Sequence, residues 1–135
     1  MITQRLIAIA YLLTQAMGII AWWVWLWLDT EFRGRFSPAG SEHALMAFGP
    51  GDLLLLAAAA VAGAAGVLRR AAWTGPVLWL HAGAGAYASC WAFTLAALEP
   101  ARLTGAGLML PVFVASMATA VWWSVVGGRP ARSGA

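Results

Sequence analysis

The chain has 135 residues, 62% of them hydrophobic, with eight basic and five acidic side chains and a net charge of +3. Soluble domains carry about 25% charged residues, so 10% charge and a mean hydropathy of +0.78 exclude an ordinary water-soluble core and read as an integral membrane protein. All the basic residues are arginines, with no run longer than Arg69-Arg70. They are not gathered on one face, as nucleic-acid binding requires, and membrane lipids are the expected surroundings.

Four uncharged runs organise the chain, each near the roughly 20 residues that a bilayer demands of a helix. The first, 6–28, is too long for the apolar region of a signal peptide and ends in Trp22-Trp23-Val24-Trp25-Leu26-Trp27 rather than in small residues. It is expected to remain as span one. The loop 29–52 follows, and Gly34, Pro38, Gly40, Gly49, Pro50 and Gly51 are expected to break any continuous helix there. Within it, 42–48 reads as a short interfacial helix capped by Ser41. Asp52 is placed to cap span two, 53–68, whose 16 residues rise only about 24 Å against a hydrocarbon core of about 30 Å.

Arg69 and Arg70 close span two, and Thr74-Gly75-Pro76 opens span three, 76–98, with proline near the first turn, where its missing N–H costs nothing. Glu99-Pro100 stops it. Span four, 108–126, takes Pro111 in its first turn and ends at Gly127-Gly128. Arginines in short loops resist translocation: Arg5, Arg69, Arg70, Arg129 and Arg132 share one face, against Arg33, Arg35 and Arg102 with all five acids on the other. The expectation is therefore an all-α, four-transmembrane-helix bundle, up-down-up-down, a single domain over 1–135 with both termini cytoplasmic, in the bacterial cytoplasmic membrane.

Buried polar positions carry what functional signal there is. Counted from the cytoplasmic ends, Gln15 in span one, His81 in span three and Ser116 in span four reach similar depths at about 1.5 Å per residue. Polar groups in lipid must find partners, so these three are expected to bond across helices or to serve a ligand. His81, Ala84, Gly85, Ala88 and Ser89 share a face of span three, and Ala58, Ala59, Ala62, Gly63 and Gly66 offer small side chains on span two, predicting close packing of the pair. No catalytic constellation and no metal-ligand spacing is evident; Glu42, His43 and Asp52 match no recognised site.

The expected function is accordingly a non-catalytic accessory or scaffolding subunit of a larger membrane assembly, binding other membrane protein subunits through their transmembrane helices. Four tryptophans in six residues exceed an ordinary interfacial belt, and Trp22, Trp25, Phe32, Arg33, Arg35 and Phe36 form the expected partner-facing patch. The alternative is a binder of a lipid, quinone or pigment through the Gln15 and His81 region. A small transporter or membrane enzyme is a third class, for which no residue stands out.

Overall fold

A computed structural model of the protein describes residues 2–37, 42–99 and 103–127. Ser41, Pro100, Arg102, Gly128, Arg129 and Arg132, used above to place a cap, two helix ends and the charge asymmetry, lie outside the described residues. Every regular element among those described is a helix: α1 (Ile2–Leu28), α2 (Thr30–Gly34), α3 (Glu42–Asp52), α4 (Ala59–Arg69), α5 (Thr74–Leu98) and α6 (Leu103–Trp122). Wide π-helical turns occupy Leu53–Ala58 and Trp123–Gly127. Three helical stretches are long and apolar enough to cross a membrane: Ile2–Leu28, Glu42–Arg69 and Leu103–Gly127. Helix α5 has 25 residues and no charge, but its glycines, His81, Tyr87 and tryptophans make it less apolar than the other three.

Helix α1 stops at Asp29, whose backbone turns extended and whose side chain caps α2 by accepting from the Phe32 N–H at 2.9 Å. That backbone N–H, helped by the Trp25 indole, holds the Asp29 carboxyl below the usual carboxylate range. The five residues of α2 fold the chain back over the end of α1. Phe32 stacks on Trp25 with ring centroids 4.2 Å apart, and Phe36 meets Trp22 edge-on at 4.7 Å. Arg33 then reaches both the Leu26 carbonyl, at 3.3 Å, and Glu42, at 2.9 Å, tying α2 to the start of α3.

The expected break at Gly49-Pro50-Gly51 is corrected by the structure, as is the separate interfacial helix 42–48. The helix is continuous for 28 residues from Glu42 to Arg69, about 42 Å of rise, so the apparent shortness of span two disappears. Pro50 lies inside α3, where it removes a backbone donor and crowds the preceding turn. The π-helical turn begins three residues later, in keeping with the tendency of such bulges to interrupt otherwise regular helices. Gly49 serves packing instead of breaking: a Cβ there would stand 3.1 Å from the Trp23 ring. Asp52 is not a cap. Its backbone is helical, and its carboxylate makes no capping bond.

Two further boundaries move. Helix α6 begins at Leu103 rather than 108, which puts Pro111 in the helix interior and not in its first turn. Helix α5 begins two residues before Pro76, its Thr74 hydroxyl donating to the Ala71 carbonyl at 2.7 Å. The chain reaches α5 through Arg70, the one non-glycine residue with positive φ among those described, at 53°. Its N–H and that of Ala71 both bond the Gly66 carbonyl, a helix ending that satisfies carbonyls α4 would otherwise leave open.

Helix α5 packs chiefly on α6 and α4, and α1 on α4. The central core joins Leu12 and Ala16 of α1, Ala60, Ala64 and Val67 of α4, Leu78 and Ala82 of α5, and Ala120 with Trp123 at the end of α6. Small residues set the α4–α5 distance: a Cβ on Gly63 would meet Leu78 at 2.9 Å, and one on Gly66 would meet Thr74 at 2.5 Å. A second cluster, of Trp23, Leu26 and Leu45, holds the other end of α1 against α3.

Candidate functional site

Helices α1, α5 and α6 bring Gln15, His81 and Ser116 together. Gln15 Oε1 and Ser116 Oγ each lie 3.2 Å from His81 Nε2, and Gln15 Nε2 lies 3.3 Å from Ser116 Oγ. Tyr11, one turn before Gln15 on the same face of α1, completes the group with its hydroxyl 2.9 Å from Ser116 Oγ. Ser116 also donates to the Val112 carbonyl of its own helix at 2.7 Å. It is the i to i−4 back-bond that serine makes within helices. The ring of His81 is fully buried, at 0% exposure. It lies against the backbone of Leu55 and Leu56 in the π-helical turn, while its Nδ1 makes no bond of ordinary geometry.

This cluster joins two hydroxyls, an amide and an imidazole, with no carboxylate or thiol among them. Physically it is an interhelical lock across three helices. Each such contact in a membrane bundle is worth about 0.6 kcal/mol on average. Gly85 faces this group from α5, and a Cβ on it would make only an ordinary contact, 3.7 Å from Ser116 Oγ.

Gln15 has a second surface. It forms one end of a cleft of about 420 Å³ that rises between α1, α5 and α6 toward α2 and α3, a volume within the roughly 300–1,000 Å³ of small-molecule sites. Successive turns of α1 supply Gly18, Ile19, Trp22 and Trp23; α5 supplies Trp91 and Ala92, and α6 supplies Met109. From Gln15 to Trp22 the cleft follows α1 for about 10 Å. Its other polar side-chain linings are Thr104 of α6, Arg35 of the loop and Asp52 of α3, which accepts from Trp23 Nε1 at 3.2 Å.

Of the six residues read as partner-facing, the four aromatic rings meet one another where α2 folds over the end of α1. Trp22 and Phe36 pair with each other and wall the cleft. Phe32 lies between Trp22 and Trp25, Arg33 is engaged by Glu42, and Arg35 bonds Glu31 at 2.9 Å. Trp25 alone among the six is a large apolar ring left mostly outside, 54% exposed. Glu42, His43 and Asp52 do not converge: Glu42 pairs with Arg33, and Asp52 lies nearly three turns further along the helix. Sequence reasoning missed Trp23, Phe48, Asp52 and Trp91 as cleft residues. The spacing of Phe48 and Asp52, one helical turn, was the available signal, hidden by reading the glycines and proline between them as a break.

Comparison with family models, with curated proteins and with solved structures finds no match to the chain. The fold and site therefore define the class on their own: an all-helical protein, among the described residues, with several helices suited to a membrane.

Proposed function

We propose that this is a four-span integral membrane protein of the bacterial cytoplasmic membrane, with Thr74–Leu98 as its third span and both termini cytoplasmic, and that it binds a lipophilic ligand in the cleft. Helix α5 is the least apolar of the four because it faces protein and ligand on one side. Its buried His81 and Ser89 are matched by partners on α1 and α6. Orientation is tested with single cysteines in place of exposed His43 and of Ser133 in a Cys90→Ala background. An impermeant maleimide applied to whole cells is expected to label position 43 and not 133, and the reverse pattern would invert the topology.

The observation that carries the ligand reading is the cleft itself, apolar along most of its length with a few polar groups at defined heights, the composition expected of a site that orients an amphiphile. Purification in mild detergent with mass analysis of everything bound is expected to yield a stoichiometric lipophile. Gly18 lines the cleft with open space around its Cβ position, so Gly18→Leu fills it without straining the helix. The bound molecule should fall by about tenfold, equivalent to about 1.4 kcal/mol, while elution and helicity stay unchanged. An unchanged cargo in this variant would remove the cleft from consideration.

A second reading, the accessory subunit that contacts other transmembrane helices, is favoured by the outward face of α5. Gly83, Cys90, Thr94 and Ala97 are exposed there at helical spacing beside Tyr87, the four of them small where lipid would select leucine or valine, and small residues permit close helix approach. A membrane protein recovered in the same purification, with no small molecule, would support this reading over the first.

A further inference from the structure

Asp52 is the one group of the cleft whose presence packing does not explain. It stands inside a 28-residue apolar helix and, among the described residues, accepts a single side-chain bond, from Trp23. Among the described residues no cation pairs with it. A carboxylate drawn toward hydrocarbon is costly unless compensated, and one indole N–H occupies one of its roughly four acceptor positions. The cleft it lines is rich in aromatic rings. Phe48 lies one turn earlier on the same face of α3 and packs on Trp91 with centroids 4.7 Å apart; Trp23 lies across the cleft, and the Trp22–Phe36 pair forms the next part of the wall. A negative group among aromatic faces attracts an ammonium both by its charge and through the ring quadrupoles. Beyond Asp52 the walls lose all charge, passing Ile19, Ala92 and Met109 to the neutral amide of Gln15. Arg35, at the loop end, has its charge offset by Glu31.

We propose that the cleft takes an alkylammonium amphiphile, its cationic nitrogen on the Asp52 carboxylate against Trp23, Phe48 and Trp91, and its apolar chain running toward Gln15. This rests on the cleft being a ligand site, as proposed above.

Decyltrimethylammonium and uncharged decanol are titrated calorimetrically into the protein in phosphatidylglycerol nanodiscs, with empty discs as the blank. The cation is expected to bind about tenfold more tightly than the alcohol. Asp52→Asn keeps an oxygen acceptor for Trp23 and should cut that ratio below about threefold without weakening the alcohol. Asp52→Glu keeps the charge and should keep the preference, which holds the test open if the amide variant folds poorly. If cation and alcohol bind alike and Asp52→Asn changes neither, the ammonium assignment is overturned while the cleft stands as a ligand site. If neither binds above the blank, the ligand reading itself fails. Phosphatidylethanolamine discs separate the sources. Loss of cation binding there means that the lipid's own ammonium headgroup fills the site, and retained binding means a free amphiphile; both require the carboxylate and support the assignment.

Discussion

Replacing Trp23 with alanine is expected to lower the stability of the protein by about 3–5 kcal/mol, the range for truncating a buried aromatic ring. The side chain is 2% exposed. Its ring lies across Gly49 of α3 and joins Leu26 and Leu45 in one buried cluster between α1 and α3. Its indole N–H is also the bond partner of Asp52, so truncation leaves a half-buried carboxylate without its donor. Denaturation in mixed micelles measures the loss. Trp25→Ala is the control: that ring is 54% exposed and rests on Phe32, so its removal should cost about 1 kcal/mol, the worth of an aromatic pair. Equal losses in the two variants would show that Trp23 does not fasten α3 to α1.

The contrast between these two tryptophans also marks how far the sequence could be read. The all-helical class, and the depth of Gln15, His81 and Ser116, follow from one-dimensional quantities: the length of an apolar stretch and 1.5 Å of rise per residue. Those three residues were therefore legible as a group before any contact was known. Which side of α1 faces inward was not, because Trp22, Trp23, Trp25 and Trp27 cover most of its circumference and give no amphipathic signal. Trp23 turns inward because Gly49 leaves room for it, and that match between distant residues is a tertiary fact.

The same cause hid Asp52. Local rules treat Gly-Pro-Gly as a breaker, and an aspartate after a break and before a leucine run as a cap. In the folded chain the helix continues because packing of Leu45 and Gly49 on α1 outweighs the local cost of Pro50, which the wide turn at Leu53–Ala58 accompanies. Pro111 makes the parallel case in α6, where the helix extends back to Leu103 and Ser116 bonds the Val112 carbonyl just beyond it. Tertiary context overrode local propensity at both prolines, and at the first of them it carried a carboxylate into the cleft.

The other large effect is steric and concerns the α4–α5 turn. Gly66→Leu is expected to destabilise the protein by about 3 kcal/mol, the upper part of the usual range for overpacking. A Cβ at this position would already stand 2.5 Å from Thr74 Oγ1 and 2.8 Å from the Trp73 ring, before any further carbon is added. Thr74 cannot move freely, although the Trp73 ring is 45% exposed. Thr74 is fully buried with its hydroxyl bonded to Ala71, and the Gly66 carbonyl itself receives the N–H groups of Arg70 and Ala71. Gly83→Leu adds the same side chain to the outward face of α5, where a Cβ meets nothing within 4 Å, and should change stability by less than about 0.5 kcal/mol. That control also separates folding from association: if α5 packs on another protein through this face, Gly83→Leu should leave the isolated protein intact and weaken recovery of the partner. Equal destabilisation by the two leucines would mean that the glycines of α4 do not set the α4–α5 distance, and the close-packed arrangement drawn from Gly63 and Gly66 would have to be abandoned.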